Sequence, residues 1–297
     1  MKRLISCYAS DCQKMLPDEL KLSIMASAGR TILAETVVTA APLIEGVTNA
    51  EMMASFGADL ILLNEFDVFD KKIKGMYTCD NPIAEIKKLT GRPVGINLEP
   101  VDTDAEFIEN RLEIASGRLA SIDTFIEAKN LGVDFICLTG NPATGVSNLS
   151  INAAIADAKK HYTGLVFAGK MHAGGLSEKV LDASQILDFI KSGADGVLIP
   201  TVGTVPGVYE DEARMITQQV HALGGLVISA IGTSQESADS FTIKQFGLSN
   251  KRVGVDIHHI GDGGYGRMPD PENIMALSIT IRGKRHTYFK MGQSSLR

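Results

Sequence analysis

The sequence predicts an α/β chain folded as a (β/α)8 TIM barrel with an extra N-terminal helix. Three observations carry this. Short apolar runs begin near residues 31, 59, 93, 133, 164, 196, 226 and 253. Eight such units match a barrel that closes in about 250 residues. The runs are continuous rather than alternating, as expected where both faces of a parallel sheet are buried. Several runs follow glycine-bearing helix exits, as in FGADLILL, LGVDFICL, SGADGVLI and LGGLVISA. Glycine suits the left-handed residue that ends a helix. A doubly wound open sheet would show a GxGxxG turn after its first strand, and TAAPLIEG stands there instead.

The elements follow in order. LPDELKLSIMASAG reads as a helix with Pro17 near its start and Gly29 at its stop, placed to cover the N-terminal mouth. TILAETV is the first strand, followed by a helix over 49–58 and a second strand over 59–66. A long loop leads to a helix over 82–91 and the third strand, PVGINLEP. The polar insert 101–117 predicts a short helix in DAEFIENRLEIA. Helix 121–132, strand 133–141, helix 149–160 and strand 164–169 follow. Helices over 180–192, 209–223 and 235–246 then alternate with strands over 196–200, 226–231 and 253–259. A last helix begins near Pro271. One domain is expected over 1–297, with a helical extension at 1–30, the barrel at 31–280 and a tail at 281–297.

Twenty-nine Lys and Arg face 35 Asp and Glu, giving a net charge of −6. That argues against a broad nucleic-acid footprint, while a local basic patch would suit a small anionic metabolite. No run approaches the roughly 18 apolar residues of a membrane span. MKRLISCYASDC is too short and polar for a secretory signal, so a cytoplasmic protein is expected. Cys7, Cys12, Cys79 and Cys137 form no CxxC pair or zinc pattern and read as ordinary thiols.

In a TIM barrel the active site lies at the C-terminal strand ends. Glu35, Glu65 and Glu99 close the first three strands. Three carboxylates around one mouth would repel one another, which suggests Mg²⁺ or another divalent cation, or partner Lys and Arg residues. Lys170 ends the fifth run, as a Schiff-base nucleophile, an electrostatic clamp or a structural ion pair. His172 and His258 are the candidate proton carriers, and Glu65, Glu99 and Asp256 complete the catalytic set. Neighbours on a strand point to opposite faces, so His258 and His259 cannot both face the centre. Asn141 and Thr201 are candidate substrate contacts. The late glycine turns, with Gly232, Thr233 and Ser234, and with Gly261, Gly263 and Gly264, suit a phosphate on exposed backbone N–H groups. No nucleotide-coenzyme fingerprint is present. Arg267, Arg282, Lys284, Arg285 and His286 are expected to face solvent. A subunit contact through them would give a homo-oligomer.

The GAD-type exits and the late GTS loop make the chain resemble the broad group of phosphate-binding TIM barrels, over roughly residues 30 to 280. It is also similar, more distantly, to the phosphoenolpyruvate mutase and isocitrate lyase superfamily. That resemblance implies a small 2-oxo acid and Mg²⁺ held by acidic residues. GINLEP stands where that superfamily has paired aspartates, and the KKCGH-like loop is absent, so no residue role carries over. The function expected first is lyase or isomerase chemistry on a small phosphorylated or carboxylated metabolite, through an enolate-like intermediate. A metal-assisted phosphoester hydrolase and a non-catalytic metabolite-binding barrel are the alternatives.

Overall fold

The computed structural model describes residues 1–102, 112–172, 179–261 and 267–297. Eight parallel strands close into a barrel in sequence order. They are β1 Thr31–Val37, β2 Leu60–Asn64, β3 Val94–Leu98, β4 Phe135–Leu138, β5 Leu165–Gly169, β6 Gly196–Pro200, β7 Leu226–Ile231 and β8 Ile257–Ile260. The helices are α1 Ala9–Cys12, α2 Pro17–Ala26, α3 Asn49–Ser55, α4 Pro82–Thr90, α5 Ile122–Asn130, α6 Asn148–His161, α7 Ala183–Lys191, α8 Glu210–Ala222, α9 Ser240–Val253 and α10 Pro271–Gly292. No helix among the described residues is long and apolar enough to cross a membrane.

Local chemistry sets the helix ends. Thr48, Asn81, Ser121, Ser147, Asp182, Asp239 and Asp270 each accept a first-turn backbone N–H through a side-chain oxygen, meeting donors the helix leaves unpaired. At the exits, Gly57, Gly132, Gly193 and Gly224 take positive φ, as the exit pattern predicts.

Alternation along each strand divides the core in two. Ile32, Ile61, Ile96, Ile136, Val166, Val197 and Val227 face the helices. Leu33, Leu62, Phe135, Phe167, Leu198, Ile228 and Ile257 fill the barrel interior. Leu4, Leu20 and Ile24 join that inner cluster from the N-terminal segment, so α2 and the turn before it plug the N-terminal mouth. Phe135 and Phe167 meet edge to face with centroids 6.0 Å apart. Each contributes roughly 1.5–3 kcal/mol by leaving water. Gly95 makes the room: a Cβ there would lie 2.2 Å from the Phe135 ring.

The aspartates of the helix exits form a repeated device at the N-terminal rim. Asp59, Asp134, Asp195 and Asp256 stand just before β2, β4, β6 and β8. Each carboxylate accepts the backbone N–H of the preceding strand, at Ile32, Val94, Val166 and Val227, over 2.7–3.0 Å. Each also faces a cation or imidazole: Arg282 and Lys290 for Asp59, Lys87 for Asp134, Lys159 for Asp195, and His221 for Asp256. Asp256, expected among the catalytic residues, is therefore corrected. It belongs to the rim opposite the strand C-termini, because β8 begins after it.

Two stretches depart from the expected pattern. After β7 a 3-10 turn, Gln235–Ser237, precedes α9, which runs on to Val253 and delays β8 to Ile257. Arg282, expected at the surface, is buried within α10 and donates to Asp59, to the Gly57 carbonyl and to Ser278. Most of the short helix expected in 104–115 lies outside the described residues.

Candidate active site

A cavity of about 720 Å³ opens at the C-terminal ends of the strands. Glu35 enters from β1, Asn64 and Glu65 from the end of β2, Asn97 from β3, and Thr139 to Asn141 from the end of β4. Met171 and His172 follow β5, Gly232 to Ser234 follow β7, and Gly261 follows β8. The loop before α5 adds Glu113 and Arg118.

Strand alternation builds the floor. On β8, Ile257 faces inward, so His259 does too, and its Nε2 lies 2.8 Å from Glu35 Oε2. Asn97 Nδ2 donates to Glu35 Oε1 at 2.5 Å. Both side chains of the Glu35–His259 pair are almost wholly out of solvent. Cys137 is buried in the interior below, where burial and the nearby Glu35 charge push its thiol pKa well up. It is a packing residue. His258, a candidate proton carrier, is corrected by the same alternation. It faces outward, its Nε2 is 3.0 Å from the Gly29 carbonyl, and burial lowers its pKa to about 4. It stays neutral away from the cavity.

The wall is held by Arg118. Its guanidinium donates to Glu99 at 2.7 Å and lies 3.8 Å from Glu65. Glu99 also accepts from the Asn141 backbone N–H and side chain, and Asn141 exchanges amide hydrogen bonds with Asn64. Glu65 accepts from Thr39 and holds a left-handed φ of 60°. Thr233 and Ser234 at the lip are left-handed as well. Such backbone costs of order 1–3 kcal/mol and gathers at functional sites. Glu35, Glu65 and Glu99 are each engaged by protein donors. No group of three metal-binding side chains assembles among the described residues.

His172 stands at the lip, and burial, more than the neighbouring Lys170, lowers its pKa. Two expected contacts lie elsewhere. Thr201 is fully buried and bonds Ser229 at 2.8 Å and Asn250 at 3.3 Å, behind the barrel wall against α9. Lys170 is buried but does not line the cavity. Gly263 and Gly264 lie outside the described residues.

The sequence does not mark Arg118 or Glu236 as site residues, and it does not separate His259 from His258. The phase of β8 was the signal for His259. Nothing local marks Arg118, which reaches Glu99 across 19 residues of chain. Glu236 is buried in the turn after β7 and lines the cavity.

An archaeal fructose 1,6-bisphosphate aldolase superposes with a TM-score of 0.56 at 13% identity, over 88% of this chain and 96% of that one. A second aldolase structure, with its catalytic Lys bound to the carbinolamine intermediate, gives 0.56 and 13% over 88% and 97%. These show a shared barrel. A putative phosphonomutase from Burkholderia cenocepacia J2315 overlaps less closely, with a TM-score of 0.46 at 18% identity over 83% and 92%. Comparison with curated proteins returns no match. The family match runs through residues 5–297, from the N-terminal plug to the end of the chain, and by it the protein belongs to the family described as Domain of unknown function (DUF7916).

Proposed function

We infer that the cavity is the active site of an enzyme acting on a small carboxylated or phosphorylated metabolite, by lyase or isomerase chemistry through an enolate-like intermediate. The observation that carries this is the buried Glu35–His259 pair beneath a polar cavity at the strand C-termini. A carboxylate held between an imidazole and an amide is suited to take a proton from carbon and return it. Glu35 lines the cavity and is the proton carrier in this reading, with His259 as its positioning residue. Arg118, rather than Lys170, stabilises the developing oxyanion. The Gly232–Ser234 lip takes the acidic end of the substrate, and His172 stands beside it.

Mg²⁺, which the ring of Glu35, Glu65 and Glu99 suggests, would have to displace Arg118 or His259 from these acids. Calorimetric titration with Mg²⁺ tests that addition. For the main reading, the protein is incubated in D₂O with a panel of small carboxylated and phosphorylated metabolites. NMR follows loss of the proton next to the carbonyl. Exchange that disappears in Glu35→Gln supports the reading. No exchange with any compound, or exchange that survives the substitution, overturns it.

A further inference from the structure

The charge and hydrogen-bond balance of the cavity constrains its ligand further. Among the described residues, four carboxylates, from Glu35, Glu65, Glu113 and Glu236, line it together with the guanidinium of Arg118. That guanidinium already faces Glu99 and Glu65. His172 adds little positive charge, because burial favours its neutral form. An acidic lining by itself would draw any cation, but the floor narrows the choice. Asn97 and Thr139 both line the cavity and are each only 4% exposed. Asn97 Oδ1 and Thr139 Oγ1 have no hydrogen-bond partner among the described residues. The Asn97 amide is oriented by its bond to Glu35, so the atom left over is an acceptor. The Asn64 and Asn141 amides satisfy each other. The floor therefore calls for a donor, and the Glu35 carboxylate beside Asn97 favours one with positive charge.

We propose that the substrate carries a primary ammonium group. It donates to Asn97 Oδ1 and Thr139 Oγ1 beside the Glu35 carboxylate, while the acidic end of the same molecule meets the Gly232–Ser234 lip. The substrate class is a small zwitterion, an amino acid or an amino phosphate. An ammonium brings three donors where a hydroxyl brings one. It also needs no convergent set of three metal-type ligands. This assignment rests on the active-site reading above.

The test uses matched probes on the full-length protein: glycine against glycolate, and 2-aminoethyl phosphate against 2-hydroxyethyl phosphate. Affinity is measured by calorimetry, and the binding place by shifts of the Thr139 and Gly232 amide resonances. The amino member of each pair should bind about tenfold more tightly, the worth of one hydrogen bond to a charged group. Thr139→Val should remove most of that preference, weakening the amino probes more than the hydroxyl ones. Equal affinity within each pair, with both shifting those resonances, overturns the ammonium assignment and leaves the active-site reading standing. If neither series shifts them, both fall.

Discussion

Glu35 Oε2 and His259 Nε2 lie 2.8 Å apart across the seam between β1 and β8, although 224 residues of chain separate them. The pair therefore forms only when the last strand docks on the first. Closure of the barrel and completion of the candidate proton carrier are one event.

Because both members are buried, removing one leaves the other without its partner. His259→Leu should cost about 1–3 kcal/mol or more, the penalty for leaving a buried hydrogen-bonding group without its partner. Glu35→Gln keeps the shape and should cost less. Urea unfolding followed by circular dichroism compares the two. A larger loss for Glu35→Gln would show that the contact matters through charge more than through packing.

His258 makes a separate prediction about pH. Its folded pKa is lowered to about 4 by burial, while an unfolded histidine titrates near 6.5. Between these values the unfolded chain binds the extra proton, so stability falls as pH drops through that window. The full effect is on the order of 3 kcal/mol. His258→Gln should flatten the stability profile between pH 4 and 6.5. His221 works in the opposite direction: its hydrogen bond to Asp256 raises its pKa. That contribution is complete below the unfolded pKa and is lost as pH rises through the raised folded value.

Asp256→Asn should lower stability by about 1–3 kcal/mol through the weakened Val227 and His221 contacts, while ligand binding at the other end of the barrel stays unchanged. A loss of binding without a loss of stability would return Asp256 to the active site.

Gly95→Ala should be destabilising by about 1–3 kcal/mol or more, because overpacking moves a whole ring. Thermal unfolding reads it directly. Phe135→Leu in the same chain should relieve part of the cost.

The barrel was legible because its signals are local: apolar runs of strand length, glycine at helix exits, and regular spacing. The same exits also showed their aspartates. Gly57, Gly132, Gly193 and Gly224 are legible there, whereas the roles of Asp59, Asp134, Asp195 and Asp256 are not, because their partners are amides one strand away. The site was legible in part. Glu35, Glu65, Asn141, His172 and the Gly232–Ser234 loop do meet around one cavity. His258 was preferred to His259 because choosing between them requires the inward phase of β8, and two polar neighbours at a strand end do not declare it. Arg118 was invisible because its pairing with Glu99 depends on how a long insert folds back over β3.

The rim aspartates give the barrel two kinds of seam. They tie β1 to β2, β3 to β4, β5 to β6 and β7 to β8, always within one strand–helix–strand unit, and leave the alternate seams without such a tie. A circularly permuted chain that starts at β3, β5 or β7 keeps every tie inside a continuous unit, whereas one that starts at β2, β4, β6 or β8 divides a unit between its two termini. In every unit the counter-charge comes from the helix that precedes it around the barrel: α10 for Asp59, Lys87 of α4 for Asp134, Lys159 of α6 for Asp195 and His221 of α8 for Asp256. A fragment holding β1 to β4 alone would carry Asp59 without its counter-charges, and a fragment holding β5 to β8 alone would carry Asp195 without Lys159. The two halves of this barrel are thus alike in this respect, and a minimal, self-standing fragment needs the helix that precedes its first strand as well as the strands themselves.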